Sequence, residues 1–178
     1  MISTEREILV RSDLATVWEF VQIIGNWANQ MPGYVSHKEL DPDQSDWTLN
    51  VQMGPFSRPI VVKVQVIQWK PGRGADFTLD ALFEPFHGEG SISIEKAPRG
   101  TLTKMHLGVE VTGSMSKVLT VLAGPVLQRV ADEFSTNLCH VLGGSPDAID
   151  TASCQGESGD GGAEHANPVE KKAQWWRR

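Results

Sequence analysis

Between Phe77 and Val109 the chain reads as two successive hairpins whose registers must agree with each other. A tight turn at Glu84-Pro85 places Phe83 opposite Phe86, Ala81 opposite Gly88, Leu79 opposite Gly90 and Phe77 opposite Ile92. A turn at Ala97-Pro98-Arg99-Gly100 pairs Ile92 with Met105, Gly90 with Leu107 and Gly88 with Val109. Successive side chains point to opposite faces of a strand, so a one-residue slip in either hairpin would mix the two sets. Both registers gather apolar residues and glycines on one face. They send His87, Glu89, Ser91, His106 and Glu110 to the other. The segment is therefore predicted to be a twisted antiparallel sheet with one buried face.

Strands with the same alternation precede it. A first strand covers Glu5 to Val10, and a second covers Tyr34 to Leu40. Trp47, Leu49, Val51 and Met53 form one face of a third, and Ile60, Val62, Val64 and Val66 one face of a fourth. Ser12 and Asp13 are good N-cap residues for a helix to about Gln22, with Leu14, Val17, Trp18 and Val21 on one stripe. A helical turn over Gly25 to Gln30 follows, ended by Pro32-Gly33. The buried sheet face needs a cover, and a helix from about Lys117 to Leu142, capped by Ser114 or Ser116, supplies it. Leu119, Leu122, Ala123, Val126, Val130, Phe134, Leu138 and Val141 recur there at helical spacing, and Gly124-Pro125 predicts a kink. The expected fold class is α+β: a seven-stranded antiparallel sheet curved around a long C-terminal helix, with two short helices after the first strand.

Residues 1–142 form the expected folded domain. Residues 143–168 are dense in Gly, Ser, Asp, Ala and Glu and lack aromatics, so they are expected to be a disordered linker. Residues 169–178 end the chain in a different character, with Lys171, Lys172, Trp175, Trp176, Arg177 and Arg178 close together. Tryptophan favours a bilayer interface and basic residues an anionic surface. These six residues are expected to make weak, reversible peripheral membrane contact, with a protein-binding or incidental tail as the alternative.

Charge narrows the partners further. A net charge of −6 and a pI near 5.3 argue against a sequence-independent nucleic-acid binder. The N-terminal residues lack the order of a secretory signal, and the two cysteines, Cys139 and Cys154, have no metal-ligand spacing. A reduced, cytoplasmic protein is expected, peripheral on the inner face of the cytoplasmic membrane if the tail binds there.

Small residues point inward at Ala81, Gly88 and Gly90, which admits two readings. Either the covering helix approaches closely there, or the sheet roofs a cavity. The cavity reading gives walls of Val64, Phe77, Leu79, Phe83 and Leu107, a mouth at Trp27, Trp69 and Phe86, and a helical side of Leu119, Leu122 and Val126. Such a lining suits an apolar ligand. Val118 to Gln128 carries no charge, so that half of the helix is either covered by other parts of the fold or offers an apolar surface. Five histidines occur, and none forms a convincing catalytic site. His87 and Glu89 share the outer, solvated face, and His140 near a helix C-terminus needs no further role. No nucleophile elbow, phosphate-binding glycine loop or metal motif is present in the sequence, so a non-catalytic protein without a metal or built-in cofactor is expected, holding an apolar, lipid-like ligand.

The order strand, two short helices, six strands, long helix resembles the helix-grip superfamily, known as Bet v 1-like, START-like or SRPBCC. A closer likeness is to the family of G-type accessory subunits of carbon monoxide dehydrogenase. It rests on Ala15-Thr16-Val17-Trp18, Met31-Pro32-Gly33, Met53-Gly54-Pro55, Gly88-Glu89-Gly90-Ser91 and Val130-Ala131-Asp132-Glu133-Phe134, and covers residues 1 to about 142. The resemblance implies a non-catalytic accessory protein that binds lipid or quinone, recruits a molybdenum-containing dehydrogenase to the membrane and links it to quinone. The same superfamily includes polyketide cyclases and aromatases, which would require an inward-facing titratable group. A plain interaction module, docking through the uncharged half of the long helix, is the remaining alternative.

Overall fold

The computed structural model describes residues 1–53, 56–113 and 116–143, leaving aside the side chains of residues 53, 56, 116–120 and 122. Strand β1 (Ile2–Val10) leads through α1 (Leu14–Val21) and α2 (Ile24–Ala28) to β2 (Tyr34–Asp41), β3 (Gln44–Met53), β4 (Phe56–Lys70), β5 (Gly74–Ala81), β6 (Phe86–Ala97) and β7 (Gly100–Val111). Helix α3 (Ser116–Val141) follows. The seven strands form one antiparallel sheet in the order β1-β7-β6-β5-β4-β3-β2. First and last strands in sequence thus sit beside each other at one side, and the hairpins run consecutively to the far edge at β2. This is the α+β architecture expected from the alternation and helical spacing. The linker and the Trp/basic tail expected from the sequence lie outside the described residues.

Strand β1 begins earlier than its sequence suggests. Thr4, Arg6, Ile8 and Val10 pair with Leu107, Met105, Thr103 and Thr101, and so turn toward the inside of the fold. The next helix starts where its cap dictates. Asp13 has extended backbone, and its carboxylate accepts a hydrogen bond from the Thr16 amide at 2.8 Å. This satisfies one of the amides left unpaired at a helix N-terminus. Val17 and Val21 are the buried positions of the helix.

The same bond makes Asp13 a pH-sensitive element. The Thr16 backbone hydrogen bond holds its carboxyl below the ordinary pKa of 3.8. A depressed folded pKa contributes stability that is present above the unfolded value and is lost as pH falls through the folded one. Asp13→Ala should therefore melt below the wild type at neutral pH, and the gap should close below about pH 4. Melting curves across pH check this; a gap that persists in acid would contradict it.

Hairpin β6–β7 has the register its alternation requires: Ile92 pairs with Met105, Gly90 with Leu107 and Gly88 with Val109. Hairpin β5–β6 does not. Leu79 pairs with Gly88 and Phe77 with Gly90, two residues away from the pairing that a tight Glu84-Pro85 turn would give. The cause lies in the backbone partners of the connection. The Leu82 amide donates to the Val61 carbonyl at 2.9 Å, which keeps the end of β5 on β4. Pro85 has no N–H, and its carbonyl instead accepts from the Thr112 amide at 2.8 Å. The connection is therefore a loop over 82–85, and Phe83 at its tip is 84% exposed.

A second irregularity moves an aromatic ring inward. Val62, Val64 and Val66 are buried, and strict alternation would carry Trp69 to the opposite face. The β4–β5 register shifts between Val66 and Gln68, so Trp69 pairs with fully buried Ala75 and returns to the inner side. Ile67, the extra residue, is left 62% exposed.

Helix α3 runs through Pro125 as one element and lies mainly along β1. Its second half is well anchored. Leu127, Leu138 and Cys139 are buried, and burial raises the Cys139 thiol pKa. A polar clamp fixes it to the strand: Gln128 Oε1 accepts from Thr4 Oγ1 at 3.0 Å and from Arg6 at 2.8 Å, while Arg6 Nε meets Asp132 at 2.6 Å. Ser12 Oγ donates to the Leu142 carbonyl at the helix end. Further toward the helix start, Val121 is 75% exposed. Among the described residues no helix is long and apolar enough to cross a membrane.

Candidate ligand cavity

Because α3 lies over β1, the middle of the sheet is not filled by the helix. A cavity of about 80 Å³ remains between them. Its sheet side is made by Trp47, Phe77, Leu79, Ile92, Met105 and Leu107; Trp27 and Met31 close one end, and Val130, Ala131, Phe134 and Ser135 come from α3. Thr4 and Arg6 border it from β1.

The inward glycines serve this space indirectly. A β-carbon at Gly90 would stand 2.6 Å from Phe77 Cζ and 2.8 Å from the His106 carbonyl oxygen. One at Gly88 would stand 3.3 Å from Leu79 Cβ. The missing side chains thus accommodate neighbours on β5: the Phe77 ring lies across Gly90, and Leu79 leans on Gly88. Neither of the two sequence readings captures this. The small residues do not admit the helix, and they do not by themselves leave a void.

Phe77 is the first of a row of aromatic rings. Its centroid is 5.4 Å from that of Trp27, which is 6.0 Å from Trp69, which in turn is 6.2 Å from Trp18 in an edge-on arrangement. Edge-to-face contacts of this kind are favourable beyond their burial. The polar ends are also used: Trp27 Nε1 donates to the Val21 carbonyl at 2.8 Å and Trp69 Nε1 to Asp43 at 2.6 Å. The row fixes α1 and α2 against β4 and β5 and seals one end of the cavity.

Of the residues expected to line a cavity, Trp27, Phe77, Leu79 and Leu107 stand on its wall. Val64 is fully buried in the adjoining core, and Trp69 backs Trp27. Ala81, Phe86 and Val126 are half-buried away from the wall, and Gly88 and Gly90 lie behind Leu79 and Phe77. Phe83 is displaced to solvent by the longer β5–β6 loop and is not a lining residue. The side chains of Leu119 and Leu122 and the tail residues Lys171, Lys172, Trp175, Trp176, Arg177 and Arg178 lie outside the described residues. The sequence reading missed Thr4, Arg6, Met31, Trp47, Met105 and Phe134 as lining residues. The first two are polar at inward positions of β1 and so carry no apolar signal.

Titratable groups concentrate elsewhere. Lys38, Asp46, Lys63, Asp80, His87 and Glu110 are successive cross-strand neighbours on the outer face of β2 to β7. Within this row His87 Nδ1 lies 2.7 Å from Asp80. Alternating charges on neighbouring strands stabilise a sheet, which accounts for the row without a reaction. His106 borders the cavity, but it pairs with outward Ser91 and with Glu5, so its backbone rather than its ring faces inward. A Tyr34–His37–Glu39 group sits under α2, with Tyr34 Oη 2.9 Å from His37 Nδ1. It does not border the cavity. Among the described residues no cluster of His, Cys, Asp or Glu could hold a metal ion.

A curved antiparallel sheet, a long C-terminal helix across it and an apolar space between them define a helix-grip domain. Residues 10–139 match the profile of the family described as "Polyketide cyclase / dehydrase and lipid transport". The chain belongs to that family. No curated protein matches it in sequence. Among solved structures it is similar to a conserved protein from Geobacillus kaustophilus, at 14% identity and TM-score 0.69, covering 80% of this chain and 95% of that one. A START superfamily protein from Mycobacterium smegmatis aligns at 17% identity and TM-score 0.56, covering 78% and 98%. The di-domain ARO/CYC StfQ of the steffimycin biosynthetic pathway aligns at 11% identity and TM-score 0.57, covering 84% of this chain and 51% of that one. These likenesses establish the fold.

Proposed function

We propose that the chain is a non-catalytic carrier of an apolar, lipid- or quinone-like ligand held between α3 and the sheet. The observation that carries this reading is the cavity itself, walled by aromatic and aliphatic side chains from both sides of the fold. At about 80 Å³ it is closed down. Ligand pockets commonly measure about 300–1,000 Å³. Loading therefore requires the walls to part, with the Gln128–Arg6–Asp132 clamp holding α3 on β1 as they do. The lipid-transport element of the family description supports the same reading.

The finer role we propose is that of an accessory subunit to a molybdenum-containing dehydrogenase of the carbon monoxide dehydrogenase type, on the cytoplasmic side of a membrane, passing electrons or quinone between the two. It rests on the motif resemblance at residues 15–18, 31–33, 53–55, 88–91 and 130–134, and on the Trp175-Trp176 pair among four basic residues. Trp176 and its neighbours would supply a weak interfacial anchor. Liposomes containing anionic lipid should pellet the full chain and release a truncation after Pro168. Equal pelleting would remove the membrane role. A gene for a molybdenum hydroxylase beside the gene for this chain is what the accessory role predicts.

A cyclase is the second reading, favoured by the other element of the family description. It needs an ionisable side chain working on a ligand in the cavity. The two candidates at the wall are Arg6, which is engaged by Asp132, and His106, which the register turns outward. Titrating the chain truncated after Pro168 with a long-chain quinone should quench fluorescence from Trp27 and Trp47. Absence of any quenching would count against the carrier.

A further inference from the structure

The hydrogen-bonding capacity of the cavity wall is almost entirely used up. Thr4 Oγ1 donates to Gln128 at 3.0 Å. Arg6 gives Nε to Asp132 and its terminal nitrogens to Thr4, Gln128 and the Glu5 carbonyl. Trp27 Nε1 donates to the Val21 carbonyl at 2.8 Å, and Ser135 Oγ to the Ala131 carbonyl at 2.7 Å. Ser91 and His106 face outward by register. Trp47 is different. It borders the cavity, is 3% exposed, and its indole N–H is buried with no hydrogen-bond partner among the described residues.

A buried N–H without an acceptor is costly, and nearly all such groups in folded proteins are paired. Tryptophan is also a poor choice for a core position where its N–H finds nothing, since phenylalanine fills similar space without that cost. Both points are resolved if the acceptor arrives with a ligand. We infer that Trp47 Nε1 donates the hydrogen bond that orients the ligand in this cavity, and that the ligand is an uncharged, largely apolar molecule bearing an acceptor oxygen, as a quinone or aryl ketone does. The inference rests on the carrier reading and sharpens it. A free carboxylate would meet a cation, Arg6, whose charge is already balanced by Asp132 and four of whose five N–H groups are bonded. A pure hydrocarbon would leave the Trp47 N–H as it is. An oxygen acceptor converts the buried, unpartnered N–H of Trp47 into a specific contact, which is how ligand sites that are otherwise apolar fix orientation.

The test uses the full chain with ¹⁵N-labelled indoles. Its six tryptophans give six N–H signals, and Trp47→Phe identifies the one that disappears. The probes are a methylated naphthoquinone and the matching methylnaphthalene. Addition of the quinone should move the Trp47 signal downfield, and the hydrocarbon should not. The wild type should bind the quinone roughly five- to tenfold more tightly than the hydrocarbon, the worth of one hydrogen bond. In Trp47→Phe that preference should fall to about one, with hydrocarbon binding retained. Equal binding of both probes to the wild type, an unmoved Trp47 signal, or a preference that survives in Trp47→Phe would overturn the inference and leave the carrier reading intact. Binding of neither probe to the wild type would overturn the carrier reading, and this inference with it. The resonance arm is read on the wild type, so it stands even if Trp47→Phe folds poorly.

Discussion

Trp27→Ala should lower the free energy of unfolding by about 3–5 kcal/mol, the range for removing a large aromatic from a packed core. Trp27 is 2% exposed and lies at the middle of the aromatic row, between Phe77 and Trp69. Its loss opens a void at the closed end of the cavity. It also strips the Val21 carbonyl of its buried donor and frees α2 from β5. Small domains hold only about 5–15 kcal/mol in total, so the variant should be marginal at ambient temperature. Chemical denaturation followed by circular dichroism measures it: the midpoint should drop with the slope unchanged. Trp18→Ala, at the half-buried outer end of the row, serves as the comparison and should cost clearly less. A loss below about 1 kcal/mol for Trp27→Ala would mean that the row does not anchor the short helices.

Gly90→Val should remove ligand binding while costing about 1–3 kcal/mol of stability, the usual range for overpacking. The new β-carbon cannot coexist with Phe77 Cζ at 2.6 Å or with the His106 carbonyl at 2.8 Å. The carbonyl, tied into the β6–β7 ladder, can give only slightly, so most of the adjustment falls on the ring at the far end of a flexible side chain. Phe77 stands on the cavity wall, so a ring pushed off β6 is expected to intrude on the cavity. Binding of an apolar probe should fall at least tenfold, which corresponds to about 1.4 kcal/mol. Phe77→Ala in the Gly90→Val background should restore part of it, because the displaced ring is then absent. If Gly90→Val binds as the wild type does, the space beneath Phe77 is not the ligand site.

These two positions also mark what can be read from the sequence. The inward set of β6 and β7 is legible because Ala97-Pro98-Arg99-Gly100 defines its own turn and alternation does the rest. The β5–β6 pairing is legible in its faces and not in its partners. A slip of two residues keeps every side chain on the same side of the sheet, so alternation cannot detect it. Only the backbone bonds of Leu82 and Pro85 decide it, and Phe83 is misassigned by alternation for that reason. The bulge at Ile67 is equally silent in the pattern, yet it is what turns Trp69 inward to complete the aromatic row.

The cavity is harder to read than the fold. Gly88 and Gly90 point inward as the alternation requires, but whether that means a void depends on where the neighbouring Phe77 and Leu79 side chains lie. That is a matter of rotamers across strands. Thr4 and Arg6 break the apolar pattern of β1, so the strand reads as starting later than it does, and the clamp to Gln128 and Asp132 stays hidden. An ion pair between residues so distant in sequence leaves no local signature. The uncommitted N–H of Trp47 is of the same kind. Alternation places its residue correctly on the inner face of β3, while the absence of a partner is a property of the packed structure alone.

The central claim is that the space between α3 and the sheet holds an apolar molecule. The most direct measurement is organic-solvent extraction of the full chain, purified without detergent, followed by mass spectrometry of the extract, with Gly90→Val treated in parallel. A lipid- or quinone-like species should be recovered from the wild type in near-stoichiometric amount and be depleted from Gly90→Val. No apolar species in the wild type, or the same species in equal amount from both proteins, would contradict the claim.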